Sequence, residues 1–404
     1  MNVLFVALPR IDDYHRRGLY TDFIRTMVNH GHHVTVLTAF EKRDRESGIH
    51  IEDHSDGNVE YIYAKTNNVT KNIRLISKGL GILALGPQYK ACVKKYDTRK
   101  FDLVVCTTPS ITFEKTVSYI KKRDNARVVL LLKDMWPYDL VFDNVLTKKG
   151  LKGLAYKYLE AIAVKLFDEA DVIGCMTPKN KEFLEAVYNE GKPLEKATII
   201  PNSIEPYSLN FSREDLIKLR KSYQLPEGKK IFVYGGNLGV AQGADYIIES
   251  VAATAMKFKN SFVLIVGNGT EAKKIQEALK DFENVKCIPA LPHDEYEKLV
   301  YACDVGLVYL NWNCHTPNSP SRILQYMQSG LPVICATDDT TDIGVIAEQN
   351  GFGLSCCSND VESFLKCVEK MLNDDVRISM GRRSRLFLET EYSAEKTYQL
   401  IFCN

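Results

Sequence analysis

Short apolar runs alternate with stretches of helical spacing along almost the whole chain, and that alternation leaves few folds open. Runs this short and continuous suit strands buried on both faces. The helical stretches between them supply the crossovers of parallel sheets. In the first half the predicted strands are 3–8, 33–39, 59–64, 101–107, 126–132, 171–176 and 197–201; in the second they are 230–236, 262–269, 285–290, 305–310, 332–336 and 351–356. The stretch "IIPNSIEPYSLNFSRED" closes the first series on Pro and Asn, and helical spacing resumes only at Leu216. With 404 residues, about two domains are expected. The reading is α/β: a first domain over 1–205, a second over 206–385, and a last helical segment, 386–404, returning to the first. Ligands of such open sheets bind beyond the carboxyl ends of the strands, so the loops there carry the functional information.

Charge narrows the partners. Fifty-two basic and 51 acidic residues give a net charge of +1, so no global field draws the chain to nucleic acid. Eleven cysteines without CxxC or Cys/His spacing fit a reducing cytoplasm rather than a disulfide framework. "MNVLFVALPR" is too short an apolar run for a signal peptide and reads as the first strand. No stretch approaches the ~20 apolar residues of a membrane span.

Two stretches point to an anion. In "HTPNSPSRILQYMQSGLPVICA", Ser319 is a natural N-cap and Pro320 fits the first helical position. Ile323, Leu324 and Met327 form the buried side, and Gly330 with Pro332 ends the helix. No acid occupies the first turn; Arg322 stands there instead, against the helix dipole and beside Ser319 and Ser321. Free amides, two serines and a misplaced cation make an anion site; a well-capped linker helix with a surface arginine is the alternative. The second stretch, "YGGNLGVAQGADYI", ends a strand on Gly235-Gly236 and opens a helix at Gly243. Small residues there let backbone amides approach a diphosphate. The spacing is not G-x-G-x-x-G and the next strand ends in "GNG" without an acid, which disfavours a dinucleotide dehydrogenase.

In this order, the two stretches resemble the retaining glycosyltransferases of family 4, with the two-domain GT-B fold of Rossmann-like domains facing each other across a cleft. Within that family the chain is most similar to the WbuB-like branch of L-fucosamine transferases in surface-polysaccharide synthesis. The residues carrying the resemblance are 31–38, "KDMWP" (133–137), 199–205, "GGNLGVAQGADYIIES" (235–250), "LIVGNGTEAKKIQ" (264–276) and "SPSRILQYMQSGLPVI" (319–334).

The resemblance implies that the second domain binds a nucleotide sugar, usually a UDP-sugar. Its glycine loop commonly holds the diphosphate with an Arg and a Lys, positions taken here by the neutral Asn237 and Gln242. The backbone from Gly236 to Gly239 and the guanidinium of Arg322, where the family usually has Lys, are then the remaining grips. The family's ribose-binding acid aligns with Gln325, and its partner acid falls near Pro317. Gly267, Asn268 and Gly269 are expected against the nucleotide base, a tight turn being the plainer reading.

In the first domain, a buried strand leads directly into Lys133 and Asp134. A carboxylate at a strand's carboxyl end is a reasonable catalytic or acceptor-binding group, with helix capping as its simplest alternative. Arg10, His15, Arg17 and Gly18, after the first strand, are further acceptor-side candidates. The chain contains no Asp-X-Asp triplet, so stabilisation of the leaving group without a metal or other cofactor is expected.

The resemblance implies a sugar transferase that works on a lipid-linked saccharide acceptor, in the cytoplasm or at the inner face of the plasma membrane, in capsule or O-antigen synthesis. A nucleotide-sugar epimerase and a noncatalytic partner subunit are the competing readings, the altered acids favouring the latter. Residues 70–100 mix leucines with lysines and arginines, which fits docking on an anionic membrane surface; the plainer alternative is that the leucines pack on the first sheet while the lysines face water, and Gly79, Gly81 and Gly86-Pro87 argue against one rigid helix.

Overall fold

Each predicted apolar run contains a strand in the computed structural model, which describes residues 1–49, 55–70, 75–95, 99–108, 111–142 and 145–403. The first sheet comprises β1 (Asn2–Val6), β2 (His33–Glu41), β3 (Val59–Thr66), β4 (Leu103–Thr107), β5 (Arg127–Leu132), β6 (Val172–Cys175) and β7 (Ala197–Ile199), in the order β3-β2-β1-β4-β5-β6-β7. The second comprises β8 (Lys230–Gly235), β9 (Ser261–Val266), β10 (Val285–Ile288), β11 (Val305–Tyr309), β12 (Val333–Thr337) and β13 (Gly353–Cys357), in the order β10-β9-β8-β11-β12-β13. The pairings are parallel, and helices fill the crossovers. Both are Rossmann-like sheets, with the strand order reversing between β1 and β4 and between β8 and β11.

The period of two explains why these runs are apolar throughout. Val3 and Phe5 of β1 join a core with Val34, Val36, Val105 and Val129 on one face of the first sheet. Leu4 and Val6 join Leu37, Val104, Cys106 and Leu130 on the other. Each face is covered, so neither set of alternate positions has reason to be polar.

The chain divides into one unit of Met1–Glu205 with Ala394–Asn404 and another of Pro206–Ser393. The return to the first unit falls at Ala394, later than the expected 386. The helix Asp374–Glu391 stays with the second unit, where Arg385 Nη1 donates to the carbonyls of Tyr207 (2.8 Å) and Gln328 (2.9 Å). The helix Ala394–Phe402 then joins the first unit: the Ala394 amide donates to Ile204 O at 2.8 Å, and His32 Nε2 lies 2.8 Å from Tyr398 Oη. The helix expected at Leu216 begins earlier, at Arg213, where Ser212 and Asp215 form a reciprocal capping box.

The glycines and proline between 79 and 87 do not break their segment, which is one helix, Leu75–Lys95. Gly86 is needed because a Cβ there would collide with the Thr112 carbonyl. The Thr112 hydroxyl donates to Ile82 O at 2.9 Å and the Thr116 hydroxyl to Gly86 O at 3.2 Å, supplying hydrogen bonds around the proline. Leu85, Tyr89 and Val93 form its buried stripe. Lys71, Arg74 and the side chains of Leu75, Ile76 and Lys78 lie outside the described residues. Among the described residues no helix is long and apolar enough to cross a membrane.

Candidate functional site

At the second sheet's reversal, β8 and β11 pair only as far as Val233 and Gly306. Beyond that point a tyrosine fills the gap. The Tyr326 hydroxyl accepts from the Gly235 amide at 3.1 Å and donates to Leu307 O at 3.1 Å, bridging the two diverging strands. Glycine at 306 follows from this packing, since a Cβ there would collide with the Tyr326 ring; at Gly235 it would collide with Tyr296. Burial pushes the Tyr326 phenol up to about 12, with the Arg322 cation opposing that shift.

Arg322 sits among these rings. Its guanidinium carbon lies 4.4 Å from the centroid of the Tyr234 ring, a cation–π arrangement. No carboxylate pairs with it among the described residues, and its buried Nη1 has no hydrogen-bond partner. Gly236 faces it directly: a Cβ at that position would lie 3.3 Å from Arg322 Cζ. One turn along, Gln325 Nε2 is also buried and without a partner. An arginine with an uncommitted donor therefore meets the end of a glycine-bearing strand, and an amide with another stands one turn further along its helix. That geometry suits an oxyanion beside a polar hydroxylated group.

The helix behind them is shorter than expected. It runs over Arg322–Gln328, with Ser321 already helical in φ and ψ, and turns of the tighter type link Ile323 to Pro320 and Leu324 to Ser321. Ser319, expected as its cap, is buried one turn earlier, whereas Ser321 is exposed.

The glycine loop is largely self-satisfied. The amides of Gly236, Leu238 and Gly239 donate to Val266 O, Asn268 O and Gln242 Oε1 at 2.9, 2.9 and 3.0 Å. Only the Asn237 amide lacks a partner in this stretch among the described residues, while Asn237 Nδ2 donates to Gln242 Oε1 at 3.3 Å. Gln242 thus braces the loop from within. Gly267 and Gly269 have a packing reason: side chains there would collide with the carbonyls of Gly236 and Leu238. Asn268 Oδ1 accepts from the Ala290 amide at 3.3 Å. The "GNG" turn is the bed on which the glycine loop lies.

In the first unit, the Thr108 hydroxyl accepts from the amides of Lys133 (2.8 Å) and Asp134 (3.0 Å), fixing the turn after β5. Lys133 Nζ donates to Pro201 O at 3.3 Å, in a small recess lined by Leu19, Tyr20, Phe23, Leu131, Ser203 and Thr397. Desolvation lowers this amine to about 7, the neighbouring Asp134 opposing the shift. Asp134 moves the other way. Desolvation raises its carboxyl to about 7, Asp139 adds to the rise and Lys133 offsets part of it. Part of its side chain reaches solvent. The carboxylate makes no hydrogen bond among the described residues and caps no helix. Tyr20 stands close to Asp134, which helps burial hold the phenol up at about 12.

The remaining acceptor-side candidates are more scattered. Arg10 pairs with Asp12 at 3.3 Å and Asp44 at 3.9 Å. The exposed His15 ring rests 4.1 Å from Tyr14, and Arg17 is exposed. The Gly18 amide donates to Asp22 Oδ1 at 3.1 Å. Sequence reasoning missed Tyr20, Thr108, Tyr234, Tyr296 and Tyr326, because hydroxyl-bearing residues at core spacing look like packing.

Residues 216–386 match the family described as Glycosyl transferases group 1. That match lies within the second unit, Pro206–Ser393. Along the chain, WbjE of Pseudomonas aeruginosa, named as a probable glycosyltransferase, is 24% identical over 325 residues, covering 79% of this chain and 78% of WbjE. WcaI of Escherichia coli (strain K12), a glycosyl transferase named for colanic acid biosynthesis, is 22% identical over 252 residues, 62% of this chain and 60% of WcaI. Among solved structures, Anabaena Alr3699/HepE in complex with UDP-glucose superposes with a TM-score of 0.67 at 14% identity, over 99% of this chain and 98% of that one. The fold is GT-B.

The bridging hydroxyl of Tyr326 gives a stability prediction. Tyr326→Phe leaves the buried Gly235 N–H and Leu307 C=O unpaired, and should cost about 1–3 kcal/mol. Urea unfolding checks it; an unchanged midpoint and slope would remove the bridge from the description of this site.

Proposed function

We propose that the protein is a retaining glycosyltransferase of the WbuB-like branch. It moves a sugar, of the N-acetylated deoxy amino type, from a nucleotide diphosphate, UDP, to a polyprenyl-diphosphate-linked saccharide in surface-polysaccharide synthesis. The observation that carries this reading is the acid-free Arg322, with its unpartnered Nη1 against Gly236 and the open Gln325 amide one turn away. The UDP-glucose bound by HepE and the colanic acid assignment of WcaI agree with it. Capsule or O-antigen assembly at the cytoplasmic face of the membrane is the proposed setting.

Cleaving the glycosyl–phosphate bond builds negative charge on the departing diphosphate and positive charge on the sugar ring. In this proposal Arg322 and the free Asn237 amide hold the diphosphate oxygens, without a metal. Gln325 exchanges hydrogen bonds with ribose hydroxyls. Ser319, Ser321 and the "GNG" turn complete the donor side, the turn lying against the nucleotide base while it supports the loop. Asp134 assists the acceptor hydroxyl or the cationic ring, and Lys133 sets its electrostatic surroundings. Arg10, His15, Arg17 and Gly18 remain acceptor-side candidates.

Arg322→Ala should weaken UDP binding by roughly 1.5–3 kcal/mol, the worth of one charge-assisted hydrogen bond, with a smaller effect on folding. Calorimetry reads this directly, and an unchanged UDP affinity would sink the phosphate assignment. Glutamine at 325, where the family usually has an acid, favours a second reading, a partner subunit that binds nucleotide without turnover. Incubation with labelled nucleotide sugars and a polyprenyl-diphosphate sugar separates the two, and would also expose an epimerase by acceptor-independent change of the donor.

A further inference from the structure

The helix Gly150–Glu169 turns an apolar stripe outward. Its inward face is Gly153, Tyr156, Ala163, Leu166 and Phe167, all buried. On the opposite side Leu151, Leu154 and Tyr158 are 87%, 65% and 56% exposed. Their i, i+3, i+7 spacing, with the exposed Ala155 between them, places them in one line. Leu151 is the most exposed large apolar side chain among the described residues. Such a stripe is costly to leave in water unless something covers it.

Charge identifies the cover. Lys152 and Lys157 flank the stripe on either side, and Lys148 and Lys149 stand in the turn before it; all four are exposed. None is paired with a carboxylate among the described residues, and no Asp or Glu occurs from 145 to 159. Glu160, the first acid, is occupied by the Tyr156 hydroxyl at 2.9 Å. The start of the helix packs closely on the turn that carries the lysines, since a side chain at Gly153 would meet the Lys148 carbonyl group 2.8 Å away. A row of leucines and a tyrosine inside a ring of unpaired lysines complements a surface that is anionic at its headgroups and apolar beneath them.

We infer that the outward face formed by Leu151, Leu154 and Tyr158 with Lys148, Lys149, Lys152 and Lys157 docks the protein on an anionic lipid bilayer. The helix would lie along the interface, its apolar stripe at the acyl boundary and its lysines at the phosphates. This surface is separate from the contact expected around residues 70–100. There Leu80 and Leu83 are exposed, while Lys90 and Lys94 lie over the Tyr119 ring at 5.4 and 5.3 Å and Leu85, Tyr89 and Val93 are buried. The inference is independent of the transferase reading, since it concerns binding without turnover.

Vesicle sedimentation of the full chain tests it. The vesicles are phosphatidylcholine alone or phosphatidylcholine with phosphatidylglycerol, at low and high salt. Wild type should pellet with the anionic vesicles, and less so at high salt. Combined Leu151→Ser, Leu154→Ser and Tyr158→Ser should cut partitioning about tenfold or more. Combined Lys148→Glu, Lys149→Glu, Lys152→Glu and Lys157→Glu should remove it, each lysine near the lipid being worth roughly fivefold. All seven side chains are exposed, so melting curves should match the wild type, and UDP affinity should not move. Equal pelleting of variants and wild type overturns the assignment, as does failure of the wild type to bind. Loss of binding on Lys90→Glu with Lys94→Glu, while the serine variant still binds, also overturns it. Sedimentation velocity covers the remaining occupant: a wild-type dimer that the serine variant abolishes, without vesicle binding, would assign the face to a second copy of the chain.

Discussion

Gly236→Val is expected to abolish nucleotide-sugar binding in a protein that still folds. Gly236 has φ of 132°, a conformation that side chains rarely adopt, so any replacement carries strain on the order of 1–3 kcal/mol. The larger effect is steric. A Cβ would already stand 3.3 Å from Arg322 Cζ, and valine adds two methyl groups where a ligand oxygen would meet the guanidinium. Displacing that group would uncouple it from the Tyr234 ring and from the glycine loop together. Gly236→Ala should fall between, with weakened but measurable affinity. Calorimetry with UDP, paired with a thermal melt, separates the two effects. A folded valine variant with wild-type affinity would reduce the loop to an ordinary turn.

What the sequence shows of this site, and what it conceals, follows from the range of the interactions involved. Strand positions are legible because burial on both faces leaves a local record, an uninterrupted apolar run such as 126–132. Arg322 is legible for a similar reason: a cation in the first turn of a helix conflicts locally with the dipole. The "GNG" turn is different. Its glycines invite a ligand reading, and they also have a packing cause in the carbonyls of Gly236 and Leu238, about thirty residues away, a contact that no spacing rule records. Gln242 is similar, because its carbonyl is also used three residues back, at the Gly239 amide. Tyr326 and Tyr296 are concealed by their chemistry. On a helix an inward tyrosine reads as core, and only the failure of β8 and β11 to pair beyond Val233 and Gly306 shows that one hydroxyl does a strand's work. At residues 79–87 glycine and proline overstate the break, since threonine hydroxyls from a neighbouring segment supply hydrogen bonds to the helix carbonyls.

Asp134→Asn is expected to lower turnover by about a hundredfold or more while UDP affinity stays nearly constant, since a positioned acid or base typically contributes at least that much. The carboxyl makes no hydrogen bond among the described residues, so the substitution removes charge without breaking a cap. Wild-type turnover should rise with pH through about 7, where the carboxylate forms, and that limb should vanish in the variant. Stability provides the independent control. A carboxyl raised to about 7 in the folded state binds more protons there than in the unfolded chain, so its contribution to stability falls as pH rises from about 4 to about 7. Lys133, lowered to about 7, acts in the opposite sense: above that pH the folded state holds fewer protons than the unfolded chain, and stability recovers as pH rises toward the usual lysine range. Asparagine should therefore leave the melting temperature at pH 8 equal to or above wild type, and should move Lys133 lower still by removing the neighbour that favours its charge. A variant that melts early yet turns over normally would make Asp134 a structural residue, and the acceptor-side assignment would pass to Lys133 and Tyr20.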